Sequence, residues 1–120
     1  HPGKTAPVVY DTIGIEAGEG RRIAVIAAQG DVEFAAAERV IDATLAEVAD
    51  GATAVLLDLH RVTRIQHIAD RMLDVLLAGL IEDGIAVAVV QQGEVAADVA
   101  AGAKLATREE ALAWCHAQGA

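Results

Sequence analysis

Aromatic residues are almost absent from this chain, which holds only Tyr10, Phe34 and Trp114. Its core must therefore be aliphatic, and it offers no stacking platform for bases, flavins or sugars. No cofactor is expected. Basic residues are also scarce, nine Lys and Arg against eighteen Asp and Glu, for a formal charge of −9. That balance repels phosphate backbones and anionic lipid and leaves no basic stripe, so nucleic acid is excluded as a partner. The single cysteine, Cys115, has no internal partner for a disulfide and fits a reducing cytoplasm. No apolar run approaches the ~20 residues of a membrane span, so direct membrane insertion is not expected. The chain opens His1-Pro2-Gly3 without an initiator Met or a signal peptide. A domain cut from a longer protein is expected, with residues 1–7 disordered or left over from processing.

What is present is a hydrophobic fraction of 54% in 120 residues, enough for one domain with a buried core. The apolar pattern alternates between strand and helix. Val8, Tyr10, Ile13 and Ile15 predict an edge strand, and a Gly18-Glu19-Gly20 turn leads to a buried strand over 22–28, the two forming a hairpin. Residues 33–50 show Phe34, Ala37, Val40, Ile41, Leu45 and Val48 at helical spacing, closed by Gly51. A continuous apolar run predicts a strand over 54–59, covered on both faces. The next helix, 68–82, carries Ile68, Met72, Val75, Leu76 and Leu80 as its apolar stripe and ends at Gly84. A strand over 85–90, a short helix over 94–101 and a short strand over 102–106 follow. Thr107-Arg108-Glu109-Glu110 fits a capping box that opens a last helix running to about Gln118. The fold class is α/β, a four- to five-stranded mixed sheet with about four helices, the helices 33–50 and 68–82 packed on one face.

Candidate chemical groups do not assemble into a catalytic set. Two histidines, His60 and His67, with Asp70 fall short of the three or four ligands and outer shell of a zinc site. Cys115 and His116 point about 100° apart on a helix, so they form no dyad. Gly3-Lys4-Thr5 lacks the preceding strand and glycine of a phosphate loop. No nucleophile, base and orienting group converge, and no enzymatic activity or metal site is expected in these residues.

The order of elements, the Gly30-Asp31-Val32-Glu33 segment before the first helix, Asp58-Leu59 with Val62-Thr63 and Ile65, and Ala111-Leu112 in the last helix together resemble the STAS domain family. That family includes sulphate-transporter tails and anti-sigma-factor antagonists, and the resemblance spans residues 8–118. In its antagonists the motif continues as Asp-Ser-Ser-Gly, whose second serine accepts phosphate. Here Gln66, His67, Ile68 and Ala69 occupy that tetrad, with Ile68 in the acceptor position. The resemblance thus implies a switch without its acceptor hydroxyl; Thr63 is the nearby substitute, against a turn or capping role. Ile68 is expected to turn inward with Met72 and Leu76, contributing about 1.5–3 kcal/mol of burial.

By the same resemblance, partner binding is expected at His67, Asp70, Arg71 and Asp74 on the exposed face of the second helix, with Asp31 and Glu33 beside them. Glu33 would hold the capping and switch position. An ordinary solvated helix face is the competing reading. Three functions remain open: a non-catalytic regulatory interaction domain of a larger protein, with a sulphate-permease-like or glutaminase-like parent; a free-standing anti-sigma-factor antagonist; and a sensor of a small molecule or nucleotide near Gly30 and the second helix. The partner would be a kinase-type anti-sigma factor or another domain of the parent, with room for a homodimer.

Overall fold

The computed structural model describes residues 12–16 and 22–118. Val8, Tyr10, the segment 1–7 and the Gly18-Glu19-Gly20 turn lie outside the described residues. Eight elements are present among the described residues: β1 (Thr12–Glu16), β2 (Arg22–Val32), α1 (Phe34–Ala49), β3 (Ala54–Ile65), α2 (His67–Glu82), β4 (Ala86–Gln91), β5 (Ala103–Leu105) and α3 (Arg108–Gln118). The five strands lie in the order β1-β2-β3-β4-β5. β1 runs antiparallel to β2, as the predicted hairpin requires, and the other pairs are parallel.

Both faces of the central strands are covered, which is why β3 begins as an unbroken apolar run. Val55, Leu57 and Leu59 point with Ile26 and Val89 toward α1 and α2, which contribute Ala36, Ala37, Val40, Leu73 and Leu77. Leu56, Ile23, Val25, Ala88 and Val90 point the other way, toward Ala111 and Cys115 of α3. Two helices therefore share one face and the third covers the other. Glu33 caps α1 by accepting the Ala36 amide at 2.9 Å, and Thr107 caps α3 by accepting the Glu110 amide at 3.1 Å.

Three expectations need correction. First, β2 and β3 run on to Val32 and Ile65, because Gln29–Val32 pairs with Arg61–Ile65 as a two-stranded ribbon. β4 stops at the Leu59–Gln91 pair, so this ribbon projects beyond it. Two register shifts accommodate it, one at Gly30, whose φ of 79° suits a residue without a Cβ. Gly30-Asp31-Val32 is thus the bulged end of a strand.

Second, residues 94–99 form turns with bonds from Ala97 to Glu94 and from Val99 to Ala96, so three helices are present among the described residues. So short a segment has too few bonds to sustain a helix, and side chains hold it instead. Gln91 accepts the Ala96 amide and Asp74 the Ala100 amide, each at 2.9 Å.

Third, α2 is rotated relative to the expected stripe. It buries Ala69, Leu73, Leu77 and Leu80 and leaves Ile68 and Val75 outside. Packing close to the sheet favours the small Ala69 at the inward position, with Leu73 and Leu77 one and two turns on.

Candidate functional site

The strand ends carry two distinct arrangements, one on each side of the sheet. On the side of α1 and α2, β3 passes through Gln66 into α2, and the Gln66 amide bonds to the Val32 carbonyl at 2.9 Å. Gln66 supplies no side-chain cap. Ile68 falls in the first turn of α2 and is 51% exposed, which corrects the expectation that it is buried. Its neighbour Ala69 takes the inward position.

The six residues expected at a partner surface separate by environment. His67 and Arg71 are exposed. Glu33 is engaged as the α1 cap, and Asp74 holds the 94–101 loop through the Ala100 amide. Asp70 and Asp74 are half-buried rather than on the exposed face. Burial pushes the Asp70 carboxyl above the usual range, helped by the negative charges of Asp98 and Asp74. One oxygen each of Asp31 and Asp70 is buried without a hydrogen-bond partner among the described residues. Thr63 stands exposed on β3.

What the sequence reading missed is an apolar surface. Phe34 and Leu45 of α1 are 51% and 47% exposed, and Val75 of α2 is 70% exposed. Between the two helices lies an open groove of about 450 Å³ lined by Ile41, Met72, Val75, Leu76 and Arg71. Exposed apolar surface gathered on two neighbouring helices marks interaction sites. The signal was present in α2, which carries Ile68, Met72, Val75 and Leu76 in addition to Leu73, Leu77 and Leu80. That is more apolar residues than one buried stripe can use.

On the α3 side, Asp58 sits within β3, opposite Val90 near the end of β4, and is 1% exposed. One carboxylate oxygen accepts the His60 amide at 3.1 Å and lies 2.6 Å from His60 Nδ1. The other accepts Arg108 Nε at 2.9 Å. Burial alone would push this carboxyl up. The bonds from His60 and then Arg108 outweigh it and hold Asp58 below the ordinary carboxylate range. A carboxylate only accepts, so Nδ1 of His60 carries its proton. A cavity of about 550 Å³ opens here, lined by Gln29, Asp58, His60, Arg61, Thr107 and Arg108 with alanines between them. His60 is therefore engaged with Asp58 on its own strand. Cys115 is buried, its thiol pushed up to about 11 by burial, while His116 is exposed.

This architecture recurs in solved structures. An anti-sigma factor antagonist from Mycobacterium paratuberculosis superposes with a TM-score of 0.66 at 21% identity, over 93% of this chain and 98% of that one. An uncharacterized protein of the DUF3478 family with a SpoIIAA-like fold, from Shewanella loihica PV-4, superposes with a TM-score of 0.68 at 14% identity, over 94% and 98%. The fold is STAS-like. The STAS-like domain also matches part of a third structure, Mglu, at 28% identity and a TM-score of 0.56. That match covers 69% of this chain and only 20% of Mglu. No family profile matches the sequence, and no curated protein does. No helix among the described residues is long and apolar enough to cross a membrane.

Proposed function

We propose that this STAS-like domain is a non-catalytic regulatory module that binds a protein partner through the apolar face of α1 and α2 and has lost the serine switch. The observation that carries the reading is the open groove between α1 and α2, walled by Val75, together with the exposure of Phe34 and Ile68 on the same two helices. An isoleucine in the acceptor position cannot be phosphorylated, and its exposed side chain adds apolar area where a phosphate would add charge. Binding is then constitutive. His67 and Arg71 flank this face and supply its polar contacts, while Glu33 caps α1 and Asp74 holds the loop beside it.

The likeness to one fifth of Mglu supports a module within a larger protein; we take the domain to be cytoplasmic, its parent to be of the sulphate-permease or glutaminase type, and the rest of that parent to be its partner. The second reading, a free-standing antagonist of a kinase-type anti-sigma factor, is favoured by the near end-to-end match to the mycobacterial antagonist. The full-length gene separates the two.

The test is binding of the Ile68→Asp and Val75→Asp variants to the remainder of the parent chain, or to the neighbouring anti-sigma factor, by calorimetry. A loss of about tenfold or more is expected for each, since buried apolar anchors typically carry over 1 kcal/mol. Melting temperature should hold, because both side chains already face water. Unchanged affinity in both variants overturns the assignment.

A further inference from the structure

We propose that the cavity beside Asp58 binds a small organic anion, with its carboxylate or phosphate head held by Arg61 and Arg108. This site is on the opposite side of the sheet from the docking face, so it stands independently of the function proposed above.

The lining is cationic in a chain of net charge −9. Asp58 offsets one of the two guanidinium groups and leaves one positive charge in excess, before any contribution from the His60 ring. Low-dielectric walls focus such a charge onto an anion entering the cleft. Arg61 is exposed and has no ion-pair partner among the described residues. Arg108 uses only Nε on Asp58, so its two terminal nitrogens keep their protons for a second acceptor. A guanidinium fixed at Nε by a buried carboxylate loses little freedom on meeting a planar carboxylate or a phosphate oxygen pair. Arg108 is also the first residue of α3, whose N-terminal end favours negative charge.

Size and the remaining groups narrow the ligand. A volume of about 550 Å³ falls within the range of metabolite sites and far exceeds the space an inorganic ion fills. Ala27, Ala28 and Ala106 leave room for a small carbon skeleton against apolar wall. Gln29 adds an amide that donates and accepts. Because Nδ1 of His60 is committed to Asp58, the neutral ring has Nε2 as an acceptor, which suits a ligand hydroxyl.

The test is a titration of the ¹⁵N-labelled domain at low salt with three probes: inorganic phosphate, phenyl phosphate and benzoate. Saturable shifts are expected at the amides of Gln29, Arg61 and Arg108, with at least one aromatic anion binding tenfold more tightly than inorganic phosphate. The ranking of phenyl phosphate against benzoate tells which head group the site takes. Arg61→Gln, a change of an exposed side chain, should weaken binding about tenfold with the rest of the spectrum intact. Arg108→Lys keeps the charge but loses the fork, and should weaken it as well. Absence of saturable shifts at these amides, equal affinity for phosphate and the aromatic anions, or unchanged affinity in Arg61→Gln overturns the proposal. A loss of partner binding in Val75→Asp with anion binding intact would show that the two sites fail separately.

Discussion

Arg108 Nε donates to Asp58 Oδ2 at 2.9 Å, joining the first residue of α3 to the middle of β3 across fifty positions of sequence. With His60 on the other oxygen, this bond ties the helix of one face to the strand that both faces share. Removing Asp58 leaves His60 and Arg108 half-exposed to water rather than stranded in the core. Asp58→Ala should therefore cost about 1–3 kcal/mol at neutral pH, the range for losing a buried charged partner, rather than more. Because the folded-state carboxyl is depressed, this stability is present above the ordinary value of 3.8 and is lost as pH falls through the lower folded value. Urea unfolding of both proteins at pH 7 and below pH 3.8 checks it; a difference that does not shrink in acid would contradict the linkage.

Asp70 shows the opposite sign. Its carboxyl is raised, so its favourable contribution exists below 3.8 and disappears as pH rises through the raised folded value. Ionised Asp70 is a cost at neutral pH. Asp70→Asn should raise the melting temperature at pH 7 and lose that advantage in acid, as thermal scans at both pH values would reveal.

Asp74 two residues before Leu76 has a structural role through the Ala100 amide. Asp74→Ala should lower stability by about 0.5–1.5 kcal/mol and speed hydrogen exchange at Ala100 and its neighbours. Exchange at Ala100 equal to that of the unaltered protein would show the bond to be dispensable.

Gly102 packs beneath the Trp114 ring. A Cβ there would lie 2.7 Å from the indole and 3.1 Å from the Val87 carbonyl, to which the Gly102 amide already bonds at 2.8 Å. The carbonyl belongs to β4 and cannot retreat, so the indole must. Gly102→Ala should destabilise by about 1–3 kcal/mol, with a red shift of tryptophan emission. An unshifted spectrum at full stability would mean that the ring relocates without loss.

A serine kinase of the anti-sigma type should leave the domain unphosphorylated, since Ile68 offers no hydroxyl and Gln66 and His67 cannot be esterified in its place. Thr63 is exposed and close in sequence. Intact-mass analysis after incubation with kinase and ATP is expected to show no added phosphate. A stoichiometric phosphate on Thr63 would show that the switch has moved.

The sequence by itself determined the five strands and three helices in their order, apart from a helix wrongly expected over 94–101, together with the placing of α1 and α2 on one face and the ends of those helices. These rest on local causes: continuous apolar runs, helical spacing, and caps at Glu33, Thr107, Gly51 and Gly84. Tertiary structure decided the rest. Which of two apolar stripes α2 buries depends on the distance to the sheet, since Ala69, Leu73 and Leu77 fit closely and Ile68 and Val75 are left to solvent. The extension of β2 and β3 depends on their pairing with each other, because polar residues such as Gln29, Arg61 and Arg64 give no strand pattern alone. The Asp58–Arg108 contact depends on chain closure: two residues fifty apart meet only when α3 folds back across the sheet, and no local periodicity encodes that.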